Sequence, residues 1–129
     1  MTEPAYRRKQ VPHVSRQLVA QRETQRCARC NGQGWQWHHR RSRRVVALHR
    51  HCPCNGIWLC HTCHKHLHKN PEQATRLGFI VTSYEAQPFN VPVWTTWGWR
   101  YHDCNGGFEW IENPPVDAEA ALLRKEQDA

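Results

Sequence analysis

The chain carries two Cys-x-x-Cys pairs, Cys27/Cys30 and Cys60/Cys63. A thiolate pair at this spacing supplies half of a tetrahedral Zn²⁺ site, so the two pairs make one complete set for structural zinc. Residues 31–59 lie between them, a longer insert than the ~15–20 residues of a simple zinc ribbon. Closing the site would tie both ends of that insert together, and most of the remaining chemistry sits in it or just after it. Trp37-His38-His39-Arg40-Arg41 comes first, Asn55 stands near the end, and Cys63-His64-Lys65-His66-Leu67-His68 follows. On a helix His64 and His68 are spaced i, i+4 and share one face. On a strand His38 and His39 point to opposite sides, so one can ligate a metal while its neighbour does something else. An ordinary imidazole, with a pKa near 6.5, is largely neutral above pH ~7 and can take a proton from water. Cys52 and Cys54 are alternative members of the zinc set, and Cys104 reads as a lone thiol in a turn. His61 and His66 lie off the His64/His68 face, and His13, His49, His51 and His102 belong to no motif.

The rest of the composition predicts a small core stapled by metal rather than a large one held by aliphatic packing. Leu, Ile, Val and Phe account for only 22 of 129 residues, and the net charge is +7, a balance at which chains often fail to fold. Seven Trp and seven Cys oppose this, the first through large buried areas and the second through metal. The odd Cys count argues against a closed disulfide framework. No apolar run reaches the ~18 residues of a membrane span and no secretory signal opens the chain, which predicts a reducing, cytoplasmic setting. Charge is uneven. Residues 1–50 hold 12 Arg and Lys against 2 acids, and residues 51–129 hold 6 against 9. An Arg-rich half points to a polyanion, nucleic acid rather than membrane. Arg40, Arg41, Arg43 and Arg44 are the candidate phosphate contacts.

Local signals place these residues on elements. Residues 1–14 read as a loose arm. Ser15 N-caps a helix running to about Arg22. Trp35–Arg40 and Arg43–His49 read as paired strands, with a loop between Arg50 and Trp58. Cys60–Lys69 reads as a helix. Asn70-Pro71 starts another that Gly78 closes, and Phe79–Thr82 reads as a short strand. Residues 91–111 are β-rich, with alternating aromatics (Trp97, Trp99, Tyr101; Phe108, Trp110) across the turn Asp103–Gly107, taken as scaffold. The tail from Asn113 is acidic, with a marginal helix over Val116–Gln127. The sequence shows no internal repeats.

In order and spacing these residues resemble the HNH endonuclease family, over about residues 15–82. The elements are Cys-x-x-Cys, His-His-Arg, an Asn shortly before Leu-Cys, and Cys-x-x-Cys-His-x-x-x-His. The trailing Pro-Glu-x-Ala-x-x-x-Gly-Phe-Ile-Val is similar to small, phage-encoded members. The resemblance implies an α+β fold: a small ββα-metal finger with a four-cysteine zinc knuckle, plus a C-terminal β-hairpin extension. The four paired cysteines, Cys27, Cys30, Cys60 and Cys63, match the structural zinc of the zinc-containing branch. The implied divisions are an N-terminal basic arm and helix (1–26), the nuclease core (27–82), the aromatic extension (83–112) and the acidic tail (113–129). The resemblance implies His38 as first metal ligand, His39 as general base, Asn55 as the residue orienting that base, and His64 as second ligand. His68 is a third ligand or a group near the leaving oxygen. Many members carry Asp where this chain has His38. The implied activity is DNA hydrolysis with an exchangeable divalent ion (Mg²⁺, Mn²⁺, Ni²⁺ or Zn²⁺) distinct from the structural zinc. DNA is the implied partner, with phage packaging proteins or a second copy of the chain as further ones, and no membrane. The competing reading is a zinc module that binds nucleic acid or a packaging partner without turnover.

Overall fold

The computed structural model describes residues 3–82 and 86–112. The predicted tail helix over 116–127 lies outside them. The chain is a mixture of helix and antiparallel sheet. Helix α1 spans His13–Arg22, starting earlier than predicted because Pro12 takes the N-cap position, its carbonyl accepting from Arg16 N. Strand β1 (Gln36–His39) pairs antiparallel with β2 (Gly56–Leu59), with His39 opposite Gly56 and Trp37 opposite Trp58. Helix α2 (His61–Lys69) follows at once, capped by Cys60, whose Sγ accepts from Cys63 N. Helix α3 (Pro71–Arg76) turns back against α2. A second sheet, β3 (Val93–Thr95), β4 (Gly98–His102) and β5 (Phe108–Trp110), is an antiparallel meander.

Two predicted strands are corrected. The partner of β1 is Gly56–Leu59, read from sequence as mostly loop, and residues 43–49 form no strand. Val46 and Leu48 are 57% and 73% exposed, so their apolar character serves no sheet face. Ile57 and Leu59 are buried and win the pairing by filling the core. Gly56 is required opposite His39 because the Trp37 indole occupies the space a side chain would need. Phe79–Thr82 is not a strand either: Phe79 N bonds back to Ala74 O to close α3, and Val81 N reaches Arg40 O. Gly78, at φ +82° with its α-carbon against the Pro92 carbonyl, makes that chain reversal, which no side-chain-bearing residue could do without strain.

One core serves both sheets. Ile57 and Leu59 from β2, Leu67 from α2, Leu77, Phe79, Val93 from β3 and Trp99 from β4 form a single buried cluster with Cys27 and Cys63. Trp94 N bonds to Leu77 O at 2.8 Å and Thr96 N to Ala28 O at 2.6 Å, lacing the second sheet onto the first unit. Of the aromatics read as scaffold, Trp99 is buried and Trp97, Tyr101, Phe108 and Trp110 are exposed. The small aliphatic core is supplemented by a buried ionic knot. Glu23, fully buried, pairs with Arg22 and with Arg100, and Arg100 Nε donates to His102 Nε2 at 2.8 Å. Arg22 also donates to the carbonyls of Pro53 and Gly56, so α1, the segment before β2, and β4 meet around one carboxylate.

Candidate functional site

Cys27 and Cys30 lie on a tight turn, and Cys60 and Cys63 on the first turn of α2; the four Sγ atoms lie within 4.8 Å of one another. Cys30 and Cys60 Sγ are 3.8 Å apart, the edge expected of a tetrahedron with Zn–S bonds of about 2.3 Å, about 3.8 Å. Backbone N–H groups of Gly32 and Cys63 donate to Cys30 and Cys60 Sγ, and Arg29 donates to Cys63 Sγ at 3.3 Å. Such contacts orient and partly neutralise thiolates around a divalent ion. A hydrogen bond from Cys63 holds the Cys27 thiol down at about 4, and the same contact with Cys27 pushes Cys63 up. Without a cation, then, one thiolate forms readily at the cost of the next. The donor set, spacing and N–H···S contacts all fit a structural metal such as zinc.

Between β1 and α2, His38 of the strand and His64 and His68 of the helix present ring nitrogens within 4.8 Å of one another. His64 and His68 Nε2 face each other at 3.1 Å, as their i, i+4 spacing on α2 dictates. His38 is buried, and its Nε2–H donates to the Phe79 carbonyl at 2.7 Å, which leaves Nδ1 as its ligating atom. Gln36 Nε2 sits 2.6 Å from His64 Nδ1; the amide turned end for end would put its oxygen there, accept from Nδ1–H and free the His64 Nε2 lone pair for an ion. Burial pushes His38 down to about 3, against the opposing pull of the Phe79 carbonyl, and burial also lowers His64. Neutral rings are the form a metal requires.

His39 lies beside this group and not within it. His38, His39, His64 and His68 all line one cavity of about 410 Å³, with Arg43 at its wall. His39 Nε2 is 3.1 Å from His51 Nδ1, and His51 Nε2 is 2.6 Å from the Arg8 carbonyl. A carbonyl only accepts, so His51 carries its proton on Nε2 and accepts from His39 Nε2–H. The consequence is a defined tautomer of His39 with Nδ1 as its free lone pair. Burial, then the charges of His51, Arg43 and Arg50, hold His39 at about 4, so the ring is neutral over the physiological range.

Asn55 does not touch His39. Its Oδ1 accepts from Arg41 N at 2.8 Å and its Nδ2 donates to the carbonyls of Arg50 and Arg41. It thereby clamps the two ends of the loop that brings His51 to His39, and reaches His39 only through that loop. Two of the four arginines expected to meet phosphate are also reassigned. Arg40 is 1% exposed and donates to the carbonyls of Gly78, Cys54, Pro88 and Val91. Arg41 is 8% exposed and reaches the Ala86 carbonyl. The reason is the loop itself: its irregular carbonyls need donors, and a guanidinium supplies several at once. Arg43 and Arg44 remain exposed, Arg43 at the cavity wall. Arg40→Ala is therefore expected to cost about 3–5 kcal/mol of folding stability, because it strands four carbonyls around a cavity. Chemical denaturation checks this; an unchanged midpoint would refute it.

Sequence reasoning missed two features. One is His51, whose only local sign was its place in a His-rich stretch. The other is a second thiol-rich group, His49, Cys52, Cys54 and Cys104, whose Cys-x-Cys was visible but whose fourth member lies 50 residues away. No helix among the described residues is long and apolar enough to cross a membrane. Comparison with protein-family models, with curated proteins and with solved structures finds no match for this chain.

Proposed function

We propose that the chain is a metal-dependent endonuclease of the HNH type, with β1, β2 and α2 serving as its ββα-metal finger. The observation that carries this reading is the convergence of His38, His39, His64 and His68 on one cavity, three of them spaced to share an ion and the fourth held neutral beside them. A divalent ion held by His38, His64 and His68 would, when bound, supply positive charge to the scissile phosphate and the leaving oxygen. His39 Nδ1 accepts a proton from the attacking water as its oxygen bonds to phosphorus. The P–O3′ bond breaks, leaving a 5′-phosphate and a 3′-hydroxyl, the latter protonated from solvent. His51 acts as a positioning residue, holding the His39 ring in the tautomer that can accept. Arg43 and Arg44 hold the DNA backbone next to the cavity.

The test is supercoiled plasmid incubated with protein and Mg²⁺, Mn²⁺ or Ni²⁺, with and without chelator. Nicking that depends on the ion is expected. DNA binding with no nicking under any ion would instead support the non-catalytic zinc module. The arginine assignment has its own check. An Arg43→Ala/Arg44→Ala variant should keep the parent's melting temperature but lose up to about two units from the slope of log affinity against log salt. An unchanged slope would remove both residues from the backbone contacts.

A further inference from the structure

We infer that His49, Cys52, Cys54 and Cys104 form a second structural zinc site, which cross-braces the loop before β2 to the β4–β5 turn. The four ligand atoms lie within 4.8 Å of one another. His49 Nδ1 is 3.8 Å from Cys54 Sγ and 3.7 Å from Cys104 Sγ; a tetrahedron with Zn–N of about 2.05 Å and Zn–S of about 2.3 Å has an N···S edge of about 3.6 Å. Two consecutive turns, Cys52 N to His49 O and Asn55 N to Cys52 O, gather the three loop ligands. The fourth comes from a turn that Asp103 shapes by accepting from the N–H groups of Asn105 and Gly107. The His49 ring is also braced against Phe89, 5.3 Å between centroids.

Three soft thiolates and one imidazole select zinc over Mg²⁺ or Ca²⁺. The cysteines are free thiols, and any single disulfide among these three would strand the remaining one. Together the two sites employ all seven cysteines of the chain. The site also has a reason to exist. Residues 40–52 form no helix or strand, carry Val46 and Leu48 in solvent, and hold His51 against His39. Few apolar contacts anchor such a loop, so an ion tying it to the distant turn would do what a core cannot.

The full reduced chain, stripped of metal and titrated with Co²⁺, tests this without any activity measurement. The thiolate-to-cobalt charge-transfer band counts Co–S bonds, and the all-histidine group adds none. The band is expected to grow through two equivalents and to fall by about three-sevenths when the second site is removed by Cys52→Ser/Cys104→Ser, in proportion to the ligands lost. Saturation after one equivalent, or a band unchanged in that variant, would overturn the assignment. The single change Cys104→Ser, confined to a surface turn, serves if the double variant fails to fold. If neither folds, the one- or two-equivalent endpoint of the unaltered chain decides. The outcome does not depend on nuclease activity, so the two proposals fail separately.

Discussion

A His39→Ala variant is expected to nick plasmid about 10²–10⁴-fold more slowly than the parent, the range over which a positioned general base acts. The variant should retain its circular dichroism and its metal content, because His39 is half-buried at the end of β1 and stands outside both the thiol and the three-histidine groups. That combination separates chemistry from folding. Undiminished nicking by His39→Ala would take the base role away from this residue. His51→Ala sharpens the point. It removes no group that touches phosphate, only the acceptor that sets the His39 tautomer. It should lower kcat by on the order of 10-fold, as for lost orienting partners elsewhere, with little change in KM. An equal loss in both, or a lowered melting temperature that accounts for the loss, would make His51 merely structural.

Cys60→Ala should unfold the chain outright. Two contributions are lost together. The smaller is the N-cap of α2, where Cys60 Sγ accepts from Cys63 N, worth about 1 kcal/mol at typical capping positions. The larger is one of the four thiols grouped to hold a structural metal such as zinc. Structural zinc contributes about 10–16 kcal/mol of apparent binding energy in small metal-dependent folds, against a net stability of about 5–15 kcal/mol for ordinary domains. With so few aliphatic residues, this chain has little to offset that loss. Far-UV circular dichroism and thermal melts read the result, and chelation of the unaltered protein should reproduce it. A Cys60→Ala protein that melts with the parent would show that packing and the Glu23 ion network suffice without metal.

Much of the candidate site was legible along the chain because its determinants are local. Cys-x-x-Cys sets two thiols on one turn, and i, i+4 spacing puts His64 and His68 on one helix face, whatever surrounds them. Adjacent residues on a strand diverge, so spacing also accounts for the different neighbours of His38 and His39. Cap residues and the Asp103–Gly107 turn likewise announced α3 and the β4–β5 hairpin. Their common feature is that a few neighbouring residues contain the whole cause.

What tertiary structure decided were questions of partnership. Arg43–His49 and Gly56–Leu59 are both plausible strands by composition, and only burial of Ile57 and Leu59 against α2 and β3 selects the second. Arg40 and Arg43 are identical in type and three positions apart, yet one fills the carbonyl-lined interior while the other stays in solvent. Glu23 gave no sign of its part in joining α1 to β4. His51 meets His39, and Cys104 meets Cys52 and Cys54, across loops whose closure no local pattern encodes. Residue type and spacing thus determined which chemical groups this protein has and how neighbours are arrayed. Which of them are buried, paired or left free was decided by the long-range packing that brings distant segments together, since desolvation and unmet hydrogen bonds exist only once that packing is made.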